Sequence, residues 1–405
     1  MKNLKSKLGE NQLYPFHSWG MKITKADGIY FYDDRGNKYA DLTSSASVVN
    51  IGYNNSKVKE IIKKQINKLI FSPPWCRTDE ADELAEKLLN YLPKYLDTIL
   101  RVNTGSESVE VALKLARKYT KKEKFLSFEH SYHGHTMAAM AIGMHGGTKK
   151  DYLPLITSDI IPHPYIKGGK DNLEKECSET LRIIEERFVT GKYAAFITES
   201  LATSAGNHLL TKEFLQSLRE LCSKYSVLLI YDEVLTGFGR TGKMFSFEHF
   251  NILPDIICLA KGLGCGYATI GATITNNKIA NGFDYFSTFA WNPLACAVSS
   301  KVLDIYKEKK LVKNAEVLGK YAINKLNKDL NNIKLVKDIR GLGLRIAIEI
   351  SDKVSFDKIR ETCLKNSVFT GASDLPCILS IAPPLIISKK EMDKCLDIII
   401  DAIKN

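Results

Sequence analysis

Acidic residues and a lysine stand where predicted strands end. Asp232 and Glu233 follow the apolar residues 227–231, and Lys261 follows the apolar residues 256–260. A carboxylate at such a buried point costs several kcal/mol unless a cation or hydrogen-bond donors meet it. Burial also favours the neutral amine of a lysine, the form that condenses with aldehydes. The pattern predicts a ligand site, and its alternative is a structurally paired acid beside an ordinary lysine.

A glycine-containing turn leads into a predicted helix at residues 103–112. Thr104 and Glu107 have the spacing of a capping box, Gly105 permits close approach to the backbone, and Ser106 offers a hydroxyl. Free amides and the helix dipole suit a phosphate at this point. An ordinary helix cap is the alternative, because Ser or Thr before glycine is common at helix starts.

Three histidines, at positions 130, 133 and 135, lie within six residues. No carboxylate at matching spacing accompanies them and Gly134 interrupts any helix, so we expect hydrogen-bonding roles and no metal. Tyr132 offers a flat surface for an aromatic ligand. Pyridoxal phosphate needs an anchor for its phosphate, an aromatic side chain that stacks on its ring, an acid at its ring nitrogen and a lysine that forms a Schiff base. The sequence offers these four features in that chain order and therefore predicts this cofactor.

Short apolar strands alternate with amphipathic helices through the middle of the chain. Residues 193–199, 227–233 and 256–260 are apolar along their length and polar at their C-terminal ends. This alternation predicts an α/β fold with a mostly parallel sheet covered by helices. Ligands of such sheets bind outside the carboxyl ends of the strands, so the acids and the lysine should share one edge.

The two ends of the chain differ from this middle region. Short strands and turns are predicted at residues 28–53, and long helices with a strand at 344–350 follow residue 300. We expect a smaller α+β domain built from residues 1–54 and 300–405 together, with residues 55–299 forming the large cofactor-binding domain. A helix from residue 57 should carry one apolar face, formed by Val58, Ile61, Ile62, Ile66, Leu69 and Ile70.

Composition excludes several classes of protein. The chain has 405 residues and a net charge of +11, with its lysines scattered through predicted helices. A nucleic-acid or membrane partner would need that charge on one face, so neither is expected. The nine cysteines include no C-x-x-C pair. The basic residues 1–10 contain no apolar core of a secretory signal, and no unbroken apolar run reaches the ~18 residues of a membrane span. We expect a cytoplasmic protein with reduced thiols.

Two stretches carry a resemblance to a known family. Residues 231–242 read YDEVLTGFGRTG and residues 254–262 read PDIICLAKG. Together they resemble the class III pyridoxal-phosphate-dependent aminotransferases of fold type I, and the interval from Asp232 to Lys261 is the one this family's pattern requires. Arg340-Gly341-Leu342-Gly343-Leu344 matches the start of the family's second domain. The likeness runs over nearly the whole chain.

The resemblance implies an aminotransferase that moves an amino group between a primary amine or amino acid and a carbonyl acceptor. Lys261 would carry the cofactor as a Schiff base, and an ionised Asp232 would keep the ring nitrogen protonated. The other implied cofactor contacts are Gly105, Ser106, Tyr132, His133, Glu199, Val234 and Thr288. Thr288 would reach the phosphate of a neighbouring subunit, so the resemblance also implies a homodimer with shared active sites.

Alternatives remain open at this point. Within the same family, an aminomutase or an amino-acid racemase or epimerase uses the same cofactor and lysine. From a different class, a binding or regulatory protein could have kept the fold without the cofactor. The residues matching the family at Lys261, Asp232, Ser106 and Thr288 argue against that second alternative.

Two departures from the family concern the substrate. Relatives that handle acetylornithine or 4-aminobutyrate often carry an arginine where this chain has His135, and relatives using α-keto acids often carry one at the place of Ser380. Neither residue makes a bidentate contact to a carboxylate. We therefore expect a neutral or amine-rich substrate, or a carboxylate anchored elsewhere, with Arg77 and Arg345 as candidates. Trp19, Trp75 and Phe16 lie where relatives line the substrate pocket, although core packing is equally compatible with these aromatic residues.

Overall fold

The computed structural model describes residues 21–143, 156–169 and 171–405. Trp19 and Phe16 lie outside the described residues. The strands are β1 Ile23–Asp27, β2 Tyr30–Asp33, β3 Lys38–Asp41, β4 Thr98–Val102, β5 Lys124–Phe128, β6 Ser158–Ile161, β7 Tyr193–Thr198, β8 Leu201–Ala202, β9 His208–Leu209, β10 Leu228–Asp232, β11 Ile256–Leu259, β12 Gly271–Thr275, β13 Val336–Leu342, β14 Arg345–Ile350, β15 Val368–Phe369, β16 Gly371–Ala372 and β17 Ile378–Ile381.

Helices separate most of these strands. They are α1 Ser44–Ser47, which is one left-handed turn, α2 Ser56–Ile66, α3 Asp79–Leu89, α4 Gly105–Thr120, α5 Met137–Ala141, α6 Pro164–Gly168, α7 Leu173–Val189, α8 Lys212–Lys224, α9 Asn277–Ala280, α10 Pro293–Glu308, α11 Leu311–Leu330, α12 Lys353–Lys365 and α13 Lys389–Lys404. Side-chain caps define several starts: Thr104 accepts a hydrogen bond from a backbone amide of α4, and Thr211 does so for α8.

A seven-stranded sheet forms the centre of the molecule. Its order is β4-β12-β11-β10-β7-β5-β6, and the strands from β11 to β6 run parallel, whereas β12 is antiparallel to both of its neighbours. Strands β7, β10 and β11 are buried along their whole length. The predicted α/β class with a mostly parallel, covered sheet is confirmed.

One smaller sheet joins the two ends of the chain, and another lies within the C-terminal region. β15, from the C-terminal region, pairs in parallel with β3 of the N-terminal strands, and β13, β14, β17 and β16 form an antiparallel sheet. The predicted α+β region built from both chain ends is therefore present. The domain limits at residues 54 and 299 stay a prediction.

The helix predicted from residue 57 is shorter than its apolar pattern. α2 ends at Ile66, where Asn67 closes it, and the side chains of Ile66, Leu69, Ile70 and Phe71 are 38–50% exposed. The periodicity correctly indicated an amphipathic helix, but the far end of its apolar face does not reach this chain's own core. Apolar side chains in contact with water are costly, and contiguous exposed groups of them often serve as interaction surfaces.

None of the helices within residues 21–143, 156–169 and 171–405 combines the length and the apolar character needed to cross a membrane.

Candidate active site

Three neighbouring parallel strands bring the predicted acids and lysine to one edge of the sheet. In the register, Tyr231 lies beside Thr198 and Asp232 beside Cys258, so Glu199 and Asp232 emerge next to each other. Lys261 begins the turn two residues after β11 ends. Glu199, Asp232 and Lys261 all line one cavity of about 400 Å³ at the carboxyl ends of the strands, where α/β sheets bind their ligands.

Asp232 is held in place by two hydrogen bonds. Its Oδ1 accepts from the backbone amide of Val234 at 3.0 Å, and its Oδ2 lies 2.8 Å from Nδ1 of His133. Only 4% of Asp232 is exposed. His133 is buried as well, and its Nε2 has no partner among the described residues. The histidine that the sequence placed in a possible metal trio therefore orients a carboxylate, and no cluster of three metal-ligating side chains forms within the described residues.

Lys261 sits in a short 3₁₀ turn with a positive φ of 34°, a conformation that costs backbone energy for a residue other than glycine. Burial lowers the pKa of its amine, and the negative charges of Asp232 and Glu199 act in the opposite direction. A lowered pKa increases the share of neutral amine at a given pH. This is the state that attacks a carbonyl carbon or accepts a proton.

Glu199 is a second buried carboxyl group in the cavity. Burial and then the charge of Asp232 raise the pKa of Glu199 to about 7. Its oxygens accept hydrogen bonds from the hydroxyl of Thr203 at 2.5 Å and from the backbone amide of Thr203 at 3.2 Å. Glu199 therefore gains a proton near neutral pH more readily than a surface glutamate does. Thr203 was not predicted, because nothing in its local sequence signals a contact with the acid.

The start of α4 closes one end of the cavity. Thr104 accepts a hydrogen bond from the amide of Glu107, so the helix cap forms, while the carboxylate of Glu107 accepts from the amide of Asn103 and not from that of Thr104, as a full capping box would require. A Cβ atom on Gly105 would lie 2.7 Å from Val234, and one on Gly134 would collide with the hydroxyl of Ser106. Both glycines therefore leave room that any other residue would fill, beside the exposed amides of a 16-residue helix.

These residues fit pyridoxal phosphate. The helix start with Gly105 and Ser106 suits its phosphate, and Tyr132 and Val234 line the same cavity as Lys261. Asp232 suits a protonated ring nitrogen, because it is a buried carboxylate already oriented by a histidine. The donor set thus matches each part of the cofactor with a side chain of suitable chemistry.

Other predicted residues do not line this cavity within one chain. Thr288 is exposed in a turn before α10, and Trp75 is 81% exposed in a separate groove with Phe286. Ser380 is buried in β17, where its backbone pairs with Ala347 and Gly371. His135 is exposed, and its backbone amide donates to the hydroxyl of Ser106 at 3.2 Å.

The two candidate arginines lie in different parts of the structure. Arg77 is exposed and donates to the carboxylate of Asp82, so it is already neutralised at the surface. Arg345 begins β14 and donates to the backbone carbonyl of Thr203, a residue that lines the cavity. Of the two, Arg345 is the one that the fold brings to the candidate site.

Comparison with known proteins gives one consistent result. Residues 15–403 match the family profile described as aminotransferase class-III. The chain is 34% identical to acetylornithine aminotransferase of Methanopyrus kandleri, with 94% of each chain covered. It is also 34% identical to adenosylmethionine-8-amino-7-oxononanoate aminotransferase of Staphylococcus aureus, covering 99% of this chain and 97% of the relative. A PLP-bound amine transaminase from an uncultivated Pseudomonas species superposes with a TM-score of 0.90 at 27% identity, covering 98% and 99% of the two chains.

Proposed function

The chain belongs to the class III aminotransferases, and from that membership we propose that Lys261, Asp232 and Glu199 form the reactive centre of this pyridoxal-phosphate-dependent enzyme. The relatives from Methanopyrus kandleri and Staphylococcus aureus are both named as aminotransferases, and neither name favours an aminomutase or a racemase. One observation carries the proposal: these three side chains leave neighbouring strands and line a single cavity with the start of α4.

When bound, pyridoxal phosphate supplies an aldehyde that joins a lysine amine and a ring that withdraws electrons from the substrate's Cα. Gly105 and Ser106 would hold its phosphate, together with Thr288 of a second subunit. Tyr132 and Val234 would pack against the two faces of its ring. Asp232 would hold the ring nitrogen, while His133 fixes the direction of that carboxylate.

Lys261 would have a second task during the reaction. Its neutral Nζ would accept the proton that leaves the substrate's Cα, and the resulting ammonium would later donate that proton, so one group would act as general base and then as general acid. The lowered pKa of Lys261 favours the accepting form, and the adjacent Asp232 and Glu199 stabilise the protonated form that follows. The residue thus has access to both protonation states within one turnover.

The choice of substrate stays at the level of a class. One relative is named for acetylornithine and the other for adenosylmethionine and 8-amino-7-oxononanoate. We propose that this chain uses a primary amine or amino acid as donor and a carbonyl compound as acceptor. All nine cysteines are free thiols, which fits a reducing compartment, and we propose a cytoplasmic location.

We propose that the enzyme works as a homodimer. An exposed apolar surface, which we call the aromatic face, consists of Ile66, Leu69, Ile70, Phe71, Trp75, Phe286 and Phe289, each 38–81% exposed. The rings of Phe71 and Phe289 touch, with centroids 5.4 Å apart, so the two segments form one patch. Patches of this kind mark protein interfaces, and this one includes the neighbours of Thr288.

Sedimentation of the holoenzyme tests the dimer. We expect the wild-type protein to sediment as a dimer and the double variant Trp75→Ser, Phe289→Ser to dissociate and lose affinity for the cofactor. Val189→Ser is a matched control, because Val189 is 65% exposed but lies on α7, outside the aromatic face. A wild-type protein that sediments as a monomer while fully active would refute the shared site.

The role of Lys261 is tested by its replacement. The purified wild-type protein should show the visible absorbance of a lysine-bound cofactor, and that band should bleach when an amino donor is added. Lys261→Ala should lose both the band and turnover, whereas Lys243→Ala, in the turn before the 3₁₀ helix at residues 246–249, should keep both. A Lys261→Ala protein with full turnover would overturn the assignment.

A further inference from the structure

Three arginines lie against the small sheets, and most of the nitrogens of two of them are held by hydrogen bonds or ion pairs. Arg340 forms ion pairs with Asp338 at 2.9 Å and Glu349 at 2.7 Å. Arg240 is fully buried and forms no ion pair within the described residues. It donates four hydrogen bonds instead, to the backbone carbonyls of Leu344 and Pro383 and to the side chains of Ser44 and Asn50. One nitrogen of each, Nη2 of Arg340 and Nε of Arg240, is buried without a partner among the described residues, so neither arginine offers a free donor that a ligand could reach.

Arg345 is different from both. Its Nε donates to Asn207 at 2.9 Å and its Nη2 to the carbonyl of Thr203 at 3.1 Å. Its Nη1 donates to no acceptor among the residues that the structure describes, and no carboxylate among them lies within 4.0 Å of the guanidinium. The Nη1 atom of Arg345 is not fully shielded from solvent. A largely buried cation without a counter-ion in contact is costly to maintain, and this one keeps an accessible donor.

The guanidinium lies next to the reactive centre. Thr203, whose carbonyl binds Arg345, lines the cavity and donates to Glu199 through its hydroxyl. Burial lowers the pKa of Arg345 to about 10, and the negative charges of Glu199 and then Asp374 act in the opposite direction. The positive charge of Arg345 in turn contributes to the lowered pKa of Lys261. Arg345 is therefore within electrostatic reach of the amine and beside the cavity wall.

The register of the small sheet relates Arg345 to the position of Ser380. Ala347 of β14 pairs with Ser380 of β17. Side chains two residues apart on a strand share a face, so Arg345 and Ser380 lie diagonally across the same face, with backbones about 7–8 Å apart. The positive charge of Arg345 therefore lies on the same face of the small sheet as the side chain of Ser380.

We infer that Arg345 binds the carboxylate of the substrate, so that the enzyme selects amino acids and oxo acids over amines and carbonyl compounds without an acid group. This inference rests on the proposed reactive centre at Lys261. Asn207 and Thr203 fix two of the three guanidinium nitrogens and direct Nη1 as the free donor. A planar, pre-oriented guanidinium is well suited to a carboxylate.

The test compares donors that differ only in a carboxylate. The pairs are L-alanine with ethylamine, 4-aminobutyrate with propylamine, and L-ornithine with 1,4-diaminobutane. For each donor, the bleaching of the cofactor band of the holoenzyme is followed against concentration, which separates apparent affinity from the rate at saturation. The variants are Arg345→Met, Arg345→Lys and, as control, Arg182→Met, which removes an exposed arginine paired with glutamates on α7.

We expect wild-type and Arg182→Met enzymes to bind at least one acid better than its partner amine. Arg345→Met should weaken the apparent affinity for that acid about 10- to 150-fold, as for a lost hydrogen bond to a charged group, and leave the apparent affinity for its partner amine unchanged. Any change in the rate at saturation that acts through Lys261 should be the same for acid and amine. Arg345→Lys should retain part of the preference. Inhibition by butyrate should weaken in parallel, and this readout is independent of turnover.

Two kinds of failure are distinguishable. If Arg345→Met weakens the apparent affinity for acid and amine equally, or if the wild type shows no preference for any acid, the inference about Arg345 is wrong while the role of Lys261 stands. If the wild-type holoenzyme shows no bleaching with any donor, the proposed reactive centre itself is contradicted. Should Arg345→Met fail to fold, an unchanged preference in Arg345→Lys together with unchanged butyrate inhibition would overturn the inference.

Discussion

Replacing Glu199 by glutamine should make the cofactor-free protein more stable at alkaline pH. The pKa of Glu199 rises from its ordinary value of 4.5 to about 7, because the side chain is only 8% exposed and faces the charge of Asp232. A carboxyl group with a raised pKa binds its proton more tightly in the folded state. The wild-type protein therefore loses stability as the pH rises from the unfolded value through the folded one.

The magnitude follows from those two values. The difference between 4.5 and about 7 corresponds to about 3 kcal/mol in the free energy of unfolding. The wild type keeps this stability below pH 4.5 and has lost all of it above pH 7. Glu199→Gln has the same shape, accepts a hydrogen bond from Thr203 and does not ionise. It should equal the wild type at acidic pH and exceed it by up to about 3 kcal/mol at alkaline pH.

Urea denaturation of the apoprotein at pH 5 and pH 8 measures this difference. Glu213→Gln, on the exposed side of α8, is the matched control, since it removes a surface carboxylate from a helix outside the cavity. The control should change the midpoint by the same small amount at both pH values. A Glu199→Gln difference that does not grow with pH, or that favours the wild type at pH 8, would refute the account of a strained buried acid.

Two further predictions concern the start of α4 at the site and the junction between the two chain ends. Gly105→Ala places a methyl group 2.7 Å from Val234, so it should lower the affinity for pyridoxal phosphate. Titration of the apoprotein with the cofactor measures this affinity, and an unchanged value would contradict the predicted phosphate site at Gly105. Arg240→Met should lower the free energy of unfolding in urea by at least about 3 kcal/mol, because it leaves four acceptors without their charged donor. A decrease of less than about 1 kcal/mol would show that water replaces those hydrogen bonds.

The chemistry of the strand ends could be predicted from the chain alone. Apolar runs ending in Glu199, Asp232 and Lys261 indicate parallel strands, and parallel strands place their carboxyl ends at one edge. Local sequence also predicted the start of α4, because a cap depends on residues three or four positions apart. These features follow from short-range patterns that a single sequence displays.

Periodicity was less informative about what covers an apolar face. The pattern beyond residue 57 predicted one apolar side, and the structure shows that Ile66 and Ile70 are about half exposed. A pattern of 3.6 residues identifies a face that avoids water, but it does not distinguish the core of the same chain from the surface of a second copy.

The sequence by itself determined the parallel sheet, the cofactor class and the residues at three strand ends, because each depends on neighbours along the chain. Only the tertiary structure decided that Arg345 meets Thr203 from 142 positions away, that His133 orients Asp232 from 99 positions away, and that Arg240 connects both chain ends. Such contacts depend on how separate sheets pack together. The side chains involved carry no local signal, because their partners are set by that packing.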